Sequence, residues 1–127
     1  MTEQTDSRAL IEKYIQAFEA RNVAACLECF SENATLDFQG TLYTGRADIE
    51  NWHNERFAAN LRILRMESVT LNGDTATVDV EISSDRLAAW KVKALKGRIT
   101  IRLEDGRFKE GKLAARMTNL FDMLRGE

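Results

Sequence analysis

The amino-acid sequence predicts a single α+β domain, residues 1–127, in which three N-terminal helices pack on a strongly curved antiparallel sheet and close a cone around an internal pocket. Three observations carry this. Apolar residues recur at helical spacing as far as Leu61, and beyond it they alternate with polar ones at period two. Glycine-containing turn signals separate the alternating runs. Helices first and strands afterwards is the order of an α+β domain rather than of a βαβ one, and 127 residues suffice for one core.

The first helix is predicted over Ala9 to Ala20, where Leu10, Ile11, Tyr14, Ile15 and Phe18 make one face and Asp6 or Ser7 caps the start. Asn22 ends it and caps a shorter helix through Val23, Cys26, Leu27 and Phe30. Leu36 and Phe38 then alternate with Thr35, Asp37 and Gln39 in a short strand. Gly40 and Gly45 bracket a turn or hairpin bearing Leu42 and Tyr43, and a third helix follows from about Arg46 to Asn60. Leu61 to Leu71 reads as extended, Asn72-Gly73-Asp74 as a hairpin turn, and Thr75 to Ser83 as a strand with Ala76, Val78, Val80 and Ile82 on one side. Asp85 to Lys96 reads as a long loop entering a strand near Trp90 and Val92. Arg98 to Glu104 alternates again, Asp105-Gly106 and Glu110-Gly111 mark turns, and Lys112 to Phe121 is a last strand.

The composition, 44% hydrophobic and 30% charged, is that of a folded domain. A net charge of −2, from 18 basic and 20 acidic residues spread over both halves, leaves no basic footprint for nucleic acid. No apolar stretch approaches the length of a membrane span, and the polar start Met-Thr-Glu-Gln-Thr-Asp-Ser lacks a secretory leader. A cytoplasmic location is expected, with both cysteines reduced. Cys26-Leu27-Glu28-Cys29 has the spacing of a redox motif without the βαβ setting that gives it meaning. One histidine and one cysteine pair supply no closed ligand set, so neither a metal nor a cofactor is expected.

A sheet with one apolar face must bury it, and the only cover is the helical half. Curved strands around helices leave a concave, mostly apolar space with a few polar groups, which is the form of a small-molecule site. The other face carries Asp79, Glu81, Arg98, Arg102 and Arg116, suited to cross-strand pairing or to a homodimer interface.

Three stretches point to a family: Leu10 to Phe18 with Asn22 and a short helix ending at Phe30; Ser31 to Phe38 followed by Tyr43-Thr44-Gly45-Arg46-Ala47-Asp48-Ile49 and Trp52; and Phe108 to Leu113 running on to Leu120-Phe121-Asp122. In this order they resemble the nuclear transport factor 2-like superfamily, especially its SnoaL-like and ketosteroid-isomerase-like members. The resemblance implies the cone fold but no one activity, since the scaffold hosts many. It places Tyr14 where ketosteroid isomerases carry an oxyanion donor. Phe38 stands where those enzymes carry their aspartate base and Ile99 near where they carry a protonated aspartate as second oxyanion donor, while Asp37 lies one residue out of register. The water-activating Asp-Arg-Asp set of limonene-epoxide-hydrolase-like members has no match in register, its last position falling near Thr118 or Asn119. The carboxylate and histidine of SnoaL-like cyclases are echoed only in part.

The candidate catalytic residues are therefore Tyr14 as hydrogen-bond donor, with His53 or Asp37 as proton carrier. Candidate ligand-binding residues are Phe18, Phe30, Phe38, Trp52, Trp90, Met117 and Asn119, aromatic or soft groups with one amide, each of which also suits an ordinary core. Three functions remain open: binding of a small hydrophobic or carbonyl-bearing molecule in the cone; a cofactor-independent isomerase, cyclase or lyase using Tyr14 with His53 or Asp37; and a protein-interaction module. The second needs His53 or Asp37 within reach of a cavity shared with Tyr14. The third needs a filled cone and an exposed apolar patch on the sheet.

Overall fold

Asn22 lies between two helices because its side chain can do what the next helix's backbone needs: Oδ1 accepts from Ala25 N at 3.1 Å. In the computed structural model, which describes residues 2–115 and side chains over 7–114, α1 runs Thr2–Glu19 and α2 runs Val23–Glu28. Cys29 ends α2, and Phe30 already belongs to the first strand, β1 (Phe30–Phe38). Positive φ at Gln39 and Gly40 turns the chain into β2 (Thr41–Thr44), and α3 follows over Gly45–Ala58. The remaining elements are β3 (Arg62–Asn72), β4 (Thr75–Ser83), a short α4 (Asp85–Ala89), β5 (Leu95–Glu104) and β6 (Arg107–Ala115).

The six strands form one open, curved sheet in the order β2-β1-β6-β5-β4-β3. All pairings are antiparallel except β1 with β6, which is parallel, so the wholly antiparallel sheet read from the sequence is corrected at that one seam. Register shifts in β3 at Ile63/Arg65 and Met66/Ser68 have the form of bulges, which bend a strand and increase its twist. The alternation in β4 holds: Ala76, Val78, Val80 and Ile82 are buried and the residues between them are half-exposed.

Three further expectations are corrected. Asp85 to Lys96 contains a helical turn rather than a strand near Trp90 and Val92, because Ser84 Oγ accepts from Leu87 N at 3.3 Å and caps α4. Glu110-Gly111 is not a turn but the middle of β6, where Gly111 pairs with Ile101. That last strand accordingly begins at Arg107, directly after the Asp105-Gly106 hairpin, in which both residues take positive φ. The predicted part of it beyond Ala115, with Arg116, lies outside the described residues.

Helices and sheet meet on an aromatic core. Phe18, Phe30, Trp52 and Phe108 are all at most 3% exposed. Phe18 and Tyr14 come from α1, Trp52 and His53 from α3, and Phe30 and Phe108 from β1 and β6. No described helix is long and apolar enough to cross a membrane.

Candidate functional site

His53 is fully buried, and both ring nitrogens have partners. Nδ1 lies 2.8 Å from the carbonyl oxygen of Ile49, one turn back on α3. A carbonyl only accepts, so Nδ1 carries the proton, and burial, which pushes the imidazole below its ordinary pKa, keeps the ring neutral. Nε2 is then an acceptor, and the Tyr14 hydroxyl, 2.8 Å away, donates to it. Burial also raises the Tyr14 hydroxyl well above its ordinary pKa, and the thiols of Cys26 and Cys29 add to this. The pair is thus an un-ionised O–H···N bond. Aromatic edges enclose it, with the Phe108 and Phe30 rings 5.5 and 5.6 Å from that of Tyr14.

Tyr14 also forms part of the wall of an inner cavity of about 30 Å³. Phe18 and Trp52 from the helices, and Phe30, Ile99, Ile101, Phe108, Gly111 and Leu113 from the sheet, complete much of that wall. The space is small because the aromatic core fills most of the cone, and it exceeds the ~10–15 Å³ that a single water needs. The indole Nε1 of Trp52, on a residue only 2% exposed, has no hydrogen-bond partner. A buried donor without an acceptor costs about 1–3 kcal/mol, a cost that any oxygen reaching it, a water's included, would relieve.

A second chamber of about 350 Å³ opens beyond the first and shares Leu61, Ile82 and Leu113 with it as a common wall. Phe38, Gln39, Arg56, Ser84, Arg86 and Trp90 line this mouth. Arg56 is held there by Phe38, whose ring centroid lies 4.9 Å from the guanidinium carbon.

The predicted residues therefore divide. Tyr14, Phe18, Phe30 and Trp52 line the inner cavity, with His53 behind Tyr14; Phe38 and Trp90 line the mouth. Trp90 is 55% exposed, at the rim of the cone rather than within it. Asp37 lines neither chamber, and its Oδ1 accepts from Gly40 N at 2.9 Å, bracing the β1–β2 turn. The one-residue offset from Phe38 has the consequence a strand imposes. Met117 and Asn119 lie outside the described residues. Sequence reasoning missed Arg56 and Arg86. Arg56 had a signal, standing four residues after Trp52 on the same face of α3. Arg86 has none, because the residue pattern from Asp85 to Lys96 reads as a loop entering a strand.

Cys26 and Cys29 are free, buried thiols at the α1–α2 side of the core. Burial first, and then Cys29, pushes Cys26 up to about 12, and burial raises Cys29 as well, so neither is a thiolate at neutral pH.

Residues 11–111 match the family model described as a SnoaL-like domain. No curated protein matches the chain by sequence. Among solved structures the chain is similar to the epoxide hydrolase/cyclase-like enzyme SalBIII of pyran ring formation in salinomycin, with a TM-score of 0.80, 19% identity, and coverage of 94% of this chain and 97% of that one. It is similar to a candidate polyketide cyclase from Sinorhizobium meliloti, with a TM-score of 0.74, 20% identity and coverage of 84% and 94%. An NTF2-like protein of unknown function from Cytophaga hutchinsonii gives a TM-score of 0.72 at 16% identity, with coverage of 91% and 94%. At such identities these likenesses establish the fold alone.

Proposed function

The chain belongs to the SnoaL-like domain family, and from that premise we propose that it binds a small hydrophobic, carbonyl-bearing molecule in the cone. The observation that carries the reading is an apolar cavity with Trp52, whose buried N–H has no partner in the protein, among its lining residues. A carbonyl oxygen reaching it would supply the missing acceptor, while the apolar body would displace water from the mouth. The volumes set the pose: about 30 Å³ takes only the tip of a ligand, and about 350 Å³ takes its body.

The enzyme alternative is supported by the meeting of Tyr14 with His53, and opposed by the direction of their proton. To polarise a substrate carbonyl, Tyr14 must point its O–H into the cavity, leaving His53 Nε2 with no donor. Only an imidazolium would restore a bond by donating from Nε2, and burial works against that charge. Neither chamber has a carboxylate among its described lining residues to act as base. Binding is the better-supported reading. A homodimer through the outer sheet face is part of the same proposal, and the mixed-sign charges there, Arg98 with Asp79 at 2.8 Å and Arg65 with Glu81 at 3.6 Å, suit a face that meets its own copy.

Calorimetric titration with 2-acetylnaphthalene and with naphthalene tests the proposal. Trp52→Phe keeps an aromatic ring in the wall and removes the N–H, so it should weaken the ketone by about 2–10-fold, the worth of one hydrogen bond, and leave the hydrocarbon unchanged. Equal losses for both probes would remove Trp52 as the recognising donor, and failure of both to bind the native chain would end the reading.

A further inference from the structure

We propose that the mouth chamber recognises an anion, so that the ligand is a compact amphiphile carrying a carboxylate as well as an apolar body. The inference rests on the cone being a ligand site and adds the class of ligand. The chamber's described lining holds two arginines, Arg56 and Arg86, and no acidic residue, on a chain whose net charge is −2. Such a local excess of one sign in a recess needs a cause.

Neither arginine has a close carboxylate among the described residues. Arg56 Nε is buried without a hydrogen-bond partner, although the residue stands in the wall of a chamber open to solvent. Its nearest carboxylate, on the adjacent and largely exposed Glu55, is 4.0 Å from the terminal nitrogen, the outer limit of an ion pair. The guanidinium carbon lies 4.9 Å from the Phe38 ring centroid, a cation–π contact that holds the group in the chamber wall without neutralising its charge. Among the described residues no carboxylate lies within ion-pairing distance of Arg86. Its neighbour Asp85 is instead engaged by Asn60, whose Nδ2 donates at 3.3 Å.

The rest of the chamber specifies the remainder of the molecule. Trp90 and Phe38 offer aromatic faces, and Gln39 and Ser84 add neutral polar groups. A planar monoanion with two acceptor oxygens matches a guanidinium edge in a bidentate way. The inner cavity of about 30 Å³ excludes a long acyl chain, which would have to pass the Leu61–Ile82–Leu113 wall. An aryl or short-chain carboxylate fits these limits.

The test compares 2-naphthoate with 2-acetylnaphthalene, nearly equal in shape and different in charge, by calorimetry on the native chain and on Arg86→Gln and Arg56→Gln. Arg86 is exposed on a short helix, so its variant should fold as the native chain does, and circular dichroism checks both. The expected result is naphthoate binding about tenfold or more tighter than the ketone, with that preference falling to about twofold in either variant. If the ketone binds and naphthoate binds no tighter, the pocket stands and the anion site is refuted. If the preference survives both substitutions, the carboxylate sits elsewhere and the inference is equally refuted. If neither probe binds, the ligand reading itself falls, and this inference with it.

Discussion

Neither nitrogen of His53 is free to take up a proton, and that has a consequence for stability. In the unfolded chain the ring titrates near its ordinary value of about 6.5, whereas in the fold burial lowers its pKa. Between those two values the unfolded state binds a proton that the native state refuses, so stability falls as pH drops below about 6.5 and is level above it. The slope is at most about 1.4 kcal/mol per pH unit. This is the chain's only histidine, so urea midpoints between pH 7.5 and 5.5 isolate it from most carboxylates. The native chain should lose stability across that range, and His53→Gln should flatten the dependence while lowering the whole curve. A native profile already flat to pH 5.5 would refute the neutral, buried assignment. The sequence placed His53 beside Trp52 on α3 and Tyr14 on the buried face of α1, and both positions held. It did not contain their 2.8 Å contact, which depends on how two helices lie against each other across 39 residues of chain.

Elements are joined by a few polar clamps that periodicity does not announce. Arg21, at positive φ between α1 and α2, donates to the Leu61 carbonyl at 2.7 Å and to Asn60 Oδ1 at 3.0 Å, and its guanidinium lies 5.0 Å from the Phe57 ring centroid. Glu19 completes the junction by accepting from Ile63 N at 2.7 Å. These bonds tie the end of α1 to the chain between α3 and β3, where the cavity wall begins. Arg21→Ala should cost about 1–3 kcal/mol, from the lost bonds to a half-buried carbonyl. Arg21→Gly should cost about 1 kcal/mol less than the alanine variant, because glycine adopts that φ without a Cβ penalty. Urea denaturation of the two decides it, and equal stabilities would mean that the left-handed backbone carries no strain. Most elements were legible because their signals are local: the alternation of β4, the Asp105-Gly106 turn, the Asn22 cap. Glu110-Gly111 misled because a glycine inside a strand looks like a turn in one dimension. In the sheet, a Cβ at Gly111 would meet Leu36 Cδ1 at 3.3 Å, so the glycine gives Leu36 room where β6 passes β1.

At the scale of the molecule the cone was legible and its filling was not. Helical cover and alternating strands require an enclosed apolar space, but its volume is the small remainder left by Phe18, Phe30, Trp52 and Phe108, contributed from opposite ends of the sequence. Leu113 controls how that remainder meets the mouth, since it lines both chambers and is itself buried. Leu113→Ala should cost about 2–5 kcal/mol without ligand, the usual range for a truncated core leucine, and should join the two chambers. Ile49→Ala offers the control: it is fully buried, lines neither chamber, and falls in the same range of cost. A ligand that binds only the folded state adds stability in proportion to the logarithm of its concentration over Kd. With 2-acetylnaphthalene in excess, Leu113→Ala should therefore recover more of its thermal stability than Ile49→Ala, because the enlarged space lets the naphthyl body settle deeper beside Trp52. Recovery to the same extent in both would show that the ligand does not use the wall between the chambers, and would place binding on another surface of the cone.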